Sequence, residues 1–246
     1  MRQLHPEPAD SVSTLDAYAV ARTGTPHLRV NMVSSIDGAA AIDGRVGTLS
    51  GPADGVLLHE LRTLCDVLLV GAGTIRAEGY GPLRLDGEQQ QRRTEAGMLS
   101  VPRLAVVTST LELDLSAPVF TQATARPLLF VTEAASASRR AEAASVADVV
   151  VAGQADVDMS SVAWELARMG LPQILSEGGP HVLASMYADD LVDELCLAVA
   201  PMVTAGGGLR ITAGRALTPP RTMNVAHVLE HDGFLFLRYT RSTGAR

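Results

Sequence analysis

Cysteine is scarce in this sequence, and the two that occur lie far apart. The chain has 246 residues and only Cys65 and Cys196. They form no Cys-x-x-Cys pair, so neither a disulfide framework nor a zinc ribbon has the residues it needs. His227 and His231 have the i,i+4 spacing of a metal pair, but their segment reads as strand and turn and no acid or cysteine cluster joins them. We therefore predict no metal site and a reducing, cytoplasmic environment.

Long apolar runs and blocks of basic residues are also missing. No segment approaches the roughly 20 apolar residues of a membrane span, and residues 1–10 lack an apolar stretch of signal-peptide length. Acidic residues outnumber basic ones, 27 to 20, and no Lys/Arg-rich block is present that would follow a phosphate backbone. We expect no membrane and no nucleic-acid partner, which leaves a small molecule as the expected ligand.

The sequence does contain short apolar runs separated by helical stretches. They are apolar on both faces, which is typical of buried strands in a largely parallel sheet. Asp232-Gly233, between residues 226–230 and 234–239, predicts a C-terminal antiparallel hairpin, so the sheet is expected to be mixed. The predicted buried strands are 28–33, 67–70, 104–107, 128–131, 149–151 and 173–175.

Helix starts and loops complete the predicted organisation. Ser50-Gly51-Pro52 predicts a helix with proline in its first turn, and a second helix is expected to begin near Ser160. Residues 1–26 have two early prolines and weak periodicity, which predicts an arm that packs on the body or is partly disordered. The polar residues 81–101 predict a mobile surface loop. Without a repeat or compositional break, residues 27–246 are predicted to form one domain.

Glycine or small polar residues follow three of the predicted strands. In an open α/β sheet, ligands bind at the carboxyl ends of strands. Ser34-Ser35-Ile36-Asp37-Gly38 is either such a site or a tight turn that uses Asp37 and Gly38. Val70-Gly71-Ala72-Gly73-Thr74 lacks the third glycine of a dinucleotide fingerprint. It lets backbone N–H groups approach a phosphate, with Thr74 capping the next turn, or it is a plain strand-to-helix turn.

The third glycine segment is the strongest of the three. Ser176-Glu177-Gly178-Gly179-Pro180-His181 opens a helix, and glycines at a helix N-terminus leave N–H donors available to an anion. Glu177 either accepts hydrogen bonds from the amino groups of a heterocycle or only fixes the loop.

Together these segments resemble the riboflavin-biosynthesis pyrimidine reductase family, the reductase half of the bifunctional deaminase-reductase. The resemblance covers most of the chain. It implies a dihydrofolate reductase-like, three-layer α/β/α fold with a mixed, mostly parallel central sheet, NADPH as hydride donor, and a homodimer. It rests on residues 35–38, on Leu61-Arg62 with residues 66–74, on residues 177–180, and on residues 192–195 with Ala200-Pro201.

The resemblance also implies which residues form the site. For two of them an alternative stays open: Thr108-Ser109-Thr110 is equally consistent with a turn, and His181 either contacts the cofactor phosphates or has no role there. Cofactor contacts are expected at Ser34, Gly71, Gly73, Thr74, Glu78, Ser109, Gly178, Gly179, Pro180, His181, Val182 and Leu183. Substrate contacts are expected at Asp54, Arg62, Arg84 and Glu177.

Asp54 and Arg62 suggest how a substrate is held. Both fall on the helix that starts near Ser50, two turns apart on nearly the same face. We hypothesise that Asp54 anchors the amino edge of a diaminopyrimidine-like ring and that Arg62 binds an anionic tail. The alternatives are an acid favoured by the helix dipole and a surface or interface salt bridge.

The sequence also departs from the family pattern. Paired aspartates and a proline usually follow the threonine, whereas residues 76–84 retain only Glu78. The loop that often supplies a tryptophan reads Gly47-Thr48-Leu49-Ser50, and the only tryptophan, Trp164, falls in a predicted packing helix. The substrate pocket is therefore expected to differ from the family's. The His-x-Glu and Pro-Cys-x-x-Cys motifs of the deaminase half are absent, which predicts a stand-alone reductase.

Three functions remain open from the sequence. The first is NADPH-dependent reduction of 5-amino-6-(5-phosphoribosylamino)uracil or its diamino precursor in riboflavin synthesis. The second is reduction of a pterin such as dihydrofolate, because the two heterocycles overlap. The third is a non-catalytic NADPH-binding protein.

Overall fold

The computed structural model describes residues 1–242, and these divide into two compact units. The first unit contains Met1–Ala21, His27–Leu61 and the chain from Ser176 onward. The second contains Arg22–Pro26 and Arg62–Leu175. The division into an arm of residues 1–26 and a domain of residues 27–246 stays a prediction.

Strands and helices alternate along most of the chain, as the apolar runs indicated. The helix Pro52–Leu64 has residues in both units, and so has the strand Gln173–Ser176. In chain order the elements are β1 (Arg2–His5), α1 (Thr14–Tyr18), β2 (His27–Ser35), α2 (Pro52–Leu64), β3 (Val67–Gly71), α3 (Ala72–Glu78), α4 (Gly87–Glu95), β4 (Arg103–Val107), α5 (Pro118–Thr121), β5 (Leu128–Val131), α6 (Ala137–Ala143), β6 (Asp148–Val151), α7 (Met159–Arg168), β7 (Gln173–Ser176), α8 (Pro180–Ala188), β8 (Val192–Ala200), β9 (Met223–His231) and β10 (Phe234–Arg241).

The strands of the first unit are ordered β1-β9-β10-β8-β2. Strands β2 and β8 are parallel, and the other neighbours are antiparallel. The predicted C-terminal hairpin is confirmed: β9 and β10 pair from His231 and Phe234 outward. Asp232 and Gly233 between them have φ values of 51° and 79°, the two positive values that a type I′ turn requires.

The second unit contains most of the parallel strands. Strands β3, β4, β5 and β6 follow one another as parallel neighbours, and β7 is hydrogen-bonded beside β3. Every residue of β3 and β5 is buried, which explains the continuous apolar runs at these strands. The predicted mixed α/β fold, mostly parallel with an antiparallel C-terminal hairpin, is therefore confirmed.

The prediction of a mobile loop over residues 81–101 was wrong in its centre, where α4 forms. Asp86 caps the helix by accepting a hydrogen bond from the Gln89 N–H, and the Gln89 side chain accepts one in return from the Asp86 N–H. The helix buries an arginine. Arg93 is completely buried, and its guanidinium donates to the carbonyl oxygens of Arg62, Thr63, Cys65 and Leu99 at 2.5–3.0 Å. Several of these carbonyls are at the end of α2, where a helix leaves acceptors unsatisfied.

Both predicted helix starts are confirmed. Pro52 begins α2, and α7 begins at Met159, next to Ser160, because the Asp158 carboxylate accepts the Ser161 N–H and so caps the helix. The predicted packing of α7 is confirmed by its buried residues Met159, Val162, Ala163 and Leu166, while Trp164 is on its exposed side and is 62% exposed.

A buried charged cluster in the first unit joins β2, β8 and β10 to α1. Glu194 accepts hydrogen bonds from Arg29 (2.7 Å) and from Arg238. Both arginines also donate to carbonyl oxygens at the end of α1, Arg29 to that of Tyr18 and Arg238 to that of Ala17, each at 2.6 Å. Burial opposes ionisation of Glu194, but the nearby His27, whose Nε2 lies 3.6 Å from it, the hydrogen bonds from Arg238 and the charges of Arg29 and Arg238 hold its pKa well below its usual range.

His227 lies beside this cluster, in β9 and not in a turn. Its ring contacts the Tyr18 ring edge-on, with centroids 4.6 Å apart, and the residue is buried. Burial, supported by the charges of Arg238 and Arg29, lowers the pKa of His227 to about 4.

Among the described residues, no group of three or more His, Cys, Asp or Glu side chains is placed to hold a metal ion. Within residues 1–242 no helix is both long and apolar enough to cross a membrane.

Candidate active site

Asp54 is the most informative of the predicted site residues. It lies in the first turn of α2 and is 5% exposed. One carboxylate oxygen accepts the Ser50 hydroxyl at 2.5 Å, whereas the other, Oδ1, is buried without a hydrogen-bond partner within residues 1–242. Burial raises the pKa of Asp54, the Ser50 hydrogen bond opposes this, and the negative charge of Glu177 adds to it. An unpaired buried acceptor is costly unless a partner satisfies it, so Asp54 stays a candidate for a ligand-binding group.

The glycine segment lies in the same unit as Asp54. Gly179 is the N-cap of α8 and supplies no side-chain cap, while Pro180 is the first helical residue. The N–H groups of His181 and Val182 fall in the first helical turn, where backbone donors have no acceptor within the helix. Gly178 has a φ of +97°, and a Cβ there would lie 3.3 Å from the Met32 sulfur, so this position favours glycine.

Leu183, in the first turns of α8, packs inside the protein. Its side chain is fully buried, and its N–H donates to the Gly179 carbonyl at 3.0 Å. The structure therefore gives it a packing role, and contact with a cofactor stays a prediction. His181 is exposed.

At the end of β2, residues 35–38 form a turn, which was one of the two predicted possibilities. The Gly38 N–H donates to the Ser35 carbonyl, and the Ser35 hydroxyl donates to Asp37 at 2.5 Å. Asp37 also accepts the N–H groups of Thr204 and Ala205. These hydrogen bonds, the Ser35 one first, lower the pKa of Asp37 to about 2. The sequence offered no signal that Asp37 would hold a loop 167 residues away. Ser34, beside this turn, is buried.

The second unit contains the other glycine segment. Gly71 is the N-cap residue of α3, and no side chain accepts a hydrogen bond from the N–H groups of the first turn. Thr74 is the third residue of α3, so the prediction that it caps the next turn was wrong. A Cβ on Gly73 would meet nothing within 4 Å, and Glu78 ends the helix. The cofactor contacts predicted for these residues stay predictions.

The remaining predicted residues of the second unit have different surroundings. Residues 108–110 form a turn, because the Leu111 N–H donates to the Thr108 hydroxyl and the Ser109 carbonyl accepts the Thr132 hydroxyl. Arg84 is exposed in the segment between α3 and α4. Arg62 is partly exposed near the end of α2, eight residues after Asp54.

Comparison with known proteins identifies the family. The sequence model described as the RibD C-terminal domain matches residues 26–230 of this chain. The chain belongs to that family. It is 31% identical over 185 residues to the 2,5-diamino-6-ribosylamino-4(3H)-pyrimidinone 5′-phosphate reductase of Methanothermobacter thermautotrophicus, which covers 75% of this chain and 82% of that protein. The protein of the same name from Archaeoglobus fulgidus is 29% identical over 182 residues, or 74% of this chain and 83% of that one.

Solved structures agree with the family assignment. A pyrimidine reductase-like protein from Corynebacterium diphtheriae has a TM-score of 0.84 and 25% identity, with 94% of this chain and 99% of that chain covered. A Thermotoga maritima protein named as deaminase and 5-amino-6-(5-phosphoribosylamino)uracil reductase has a TM-score of 0.68 and 19% identity, with 89% and 57% covered. The second likeness concerns the fold. The predicted pyrimidine reductase fold is confirmed, and this RibD-family protein is a reductase.

Proposed function

We propose that the protein is an NADPH-dependent reductase of a ribosylamino-pyrimidinone 5′-phosphate in riboflavin biosynthesis. The carrying observation is the buried Asp54 carboxylate, whose Oδ1 has no partner within residues 1–242. An amino-pyrimidine edge presents N–H donors, and a carboxylate is an acceptor of such donors. The names of the archaeal relatives specify this class of heterocycle.

The glycine segment of the first unit fits the cofactor. First-turn N–H groups of α8 at His181 and Val182 suit an anionic diphosphate, and the side-chain-free Gly178 and Gly179 let it approach the backbone. We propose that these residues, Pro180 and Ser34 hold NADPH. Bound there, the nicotinamide supplies the hydride. Gly71, Gly73, Thr74, Glu78, Ser109 and Leu183 remain proposed cofactor contacts.

The protein's own contribution is to position the substrate. Asp54 anchors the amino edge of the ring, and Ser50 fixes the orientation of Asp54 by its hydrogen bond. Glu177 is proposed as a second acceptor, and Arg62 and Arg84 as binding groups for the anionic tail. From the family resemblance, we also propose a homodimer in the cytoplasm.

The proposal is tested by the loss of NADPH absorbance in the presence of a substrate panel. The panel contains 2,5-diamino-6-ribosylamino-4(3H)-pyrimidinone 5′-phosphate, 5-amino-6-(5-phosphoribosylamino)uracil and dihydrofolate. We expect turnover of one of the two pyrimidines and a lower kcat/KM with NADH run in parallel.

Two results would contradict this assignment. Turnover of dihydrofolate alone makes the protein a pterin reductase. Stoichiometric NADPH binding without turnover of any panel member makes it a non-catalytic NADPH-binding protein.

A further inference from the structure

A cavity of about 750 Å³ in the first unit contains none of the residues proposed to bind NADPH or substrate. Its apolar lining comes from α8 and three strands: Tyr187, Leu195, Met223 and Tyr239. The rest of the lining comes from the segment between β8 and β9, chiefly residues 210–217. The volume is within the range of small-molecule sites, which is about 300–1,000 Å³.

Within residues 1–242, the charged side chains that line the cavity are all positive. They are Arg210, Arg215 and Arg221, with no aspartate or glutamate among them. This is unusual for a chain with 27 acidic and 20 basic residues and a net charge of −7. Unmatched positive charge in a concave site attracts an anion.

Two of the three arginines are available to a ligand. Arg221 donates to the carbonyl oxygens of Tyr187 and Ala188 and lies 3.6 Å from Asp190, so it is already engaged at the end of α8. Arg210 and Arg215 are exposed, and neither side chain has a hydrogen-bond or ion-pair partner in the described part of the chain, residues 1–242. A guanidinium binds a phosphate through two parallel N–H hydrogen bonds. The N–H groups of Arg210 and Arg215 are available for such bonds, because no carboxylate lies beside them within residues 1–242.

The wall that carries these arginines is attached to α8. The Ala213 N–H donates to the Pro180 carbonyl at 3.1 Å. A Cβ on Gly214 would lie 3.1 Å from the Ala184 Cβ, so glycine permits this close approach. Arg221 fastens the far end of the segment to the end of the same helix. The site is thus formed before a ligand binds, which reduces the cost of ordering it.

The apolar side of the cavity suits a flat ring. The aromatic Tyr187 and Tyr239 line the cavity together with Leu195 and Met223. Burial raises the pKa of Tyr187 to about 12, so its hydroxyl stays a donor at neutral pH. Its acceptor is the Met223 sulfur at 3.4 Å, which is a weak one that an oxygen would readily replace.

We propose that this cavity binds a phosphorylated planar heterocycle, with the phosphate on Arg210 and Arg215 and the ring against Tyr187 and Tyr239. Such chemistry has two sources: the reductase substrate itself, or a separate mononucleotide. The proposal does not depend on the proposed function, because the cavity is defined without the Asp54 site.

The test uses riboflavin 5′-phosphate and riboflavin, two fluorescent probes that differ only in the phosphate. Fluorescence titration of the wild-type protein should show binding of the phosphorylated probe, and binding of riboflavin weaker by about tenfold or more. Arg210→Ala and Arg215→Ala should each raise the Kd of the phosphorylated probe by about tenfold and leave that of riboflavin unchanged. Arg92→Ala, which removes an exposed arginine of α4, is the matched control and should change neither Kd.

A competition arm identifies the source of the ligand. Displacement of the probe by the phosphorylated pyrimidine substrate assigns the cavity to that substrate, and retention of the probe assigns it to a separate mononucleotide.

Equal affinity for both probes, or unchanged affinity in both arginine variants, overturns the proposal. If a variant fails to fold, a salt series on the wild type decides, because only a phosphate contact weakens as ionic strength rises. Failure of the proposed function leaves these binding results intact.

Discussion

Glu194 and Asp54 are both buried carboxylates of the first unit, and their surroundings differ. Glu194 is surrounded by hydrogen bonds and by the charges of Arg29 and Arg238, which hold its pKa down. Asp54 has one hydroxyl partner and one unpaired oxygen, and burial raises its pKa. A carboxylate that is fully matched by its own protein stabilises the fold. One that is only half matched destabilises it, and such a cost is typical of a group kept for a ligand.

Glu194→Gln should give the largest effect on folding. It leaves the buried Arg29 and the largely buried Arg238 without a compensating charge, and breaking a buried ion pair from one side costs about 3 to 5 kcal/mol. Urea unfolding measures the loss. Glu142→Gln, which breaks an exposed pair with Arg139, is the control and should cost less than about 1 kcal/mol. If Glu194→Gln lowers the free energy of unfolding by no more than the control does, Glu194 does not stabilise the fold as the comparison requires.

Asp54→Asn should give the opposite pattern. Because the folded-state pKa of Asp54 is raised, the ionised form at neutral pH costs stability that the amide does not, so the free energy of unfolding should stay equal or rise. The kcat/KM for the pyrimidine substrate should fall by about 100-fold, since the ring loses its charged acceptor.

The matched control for that variant is Asp16→Asn, an exposed first-turn acid of α1, which should change neither quantity. If Asp54→Asn lowers stability but leaves activity unchanged, Asp54 has the same structural role as Glu194.

His227 gives a smaller, pH-dependent test of the charged cluster. Its pKa is about 4 in the folded protein and ordinarily about 6.5, so the unfolded chain binds the proton first as pH falls. Stability is therefore lost as pH drops below about 6.5, by about 2 kcal/mol between pH 7 and pH 5. His227→Asn should remove that part of the pH dependence, as measured by urea unfolding at both pH values. His231→Asn, the exposed histidine at the end of the same strand, should retain it.

Local patterns in the sequence predicted the elements that depend on neighbouring residues. Five of the six predicted buried strands, the Asp232-Gly233 turn and the Pro52 helix start follow from periodicity and turn chemistry within a few positions. The sixth strand, β6, forms as predicted but is not buried, and its Val151 is 48% exposed. Asp54 was predicted as a site residue from the family resemblance, which implies an acid on the helix beside the pocket. Its unpaired oxygen was not predictable, because that depends on which distant residues fail to reach it.

The features that the sequence did not predict depend on distant partners. Arg93 appeared to belong to a polar loop, yet it is buried because four carbonyl oxygens accept its guanidinium hydrogens. The bond from Arg29 to Glu194 spans 165 positions, and no local pattern marks either residue as buried. A buried charge is recognisable only when its acceptors are known, so composition alone assigns such residues to the surface.

Strand β1 has a consequence for the solubility of the protein. It pairs with Val228, Leu229 and Glu230 on the outer side of β9, and so covers one part of a strand whose free N–H and C=O groups would otherwise form a template for pairing with other chains. The new edge is only four residues long, mostly exposed, and followed by Pro6, so it recruits further strands poorly. The first few residues of the chain thus act as a guard against aggregation, and shortening the protein from its N-terminus would remove that protection before it reached any residue of the reductase site.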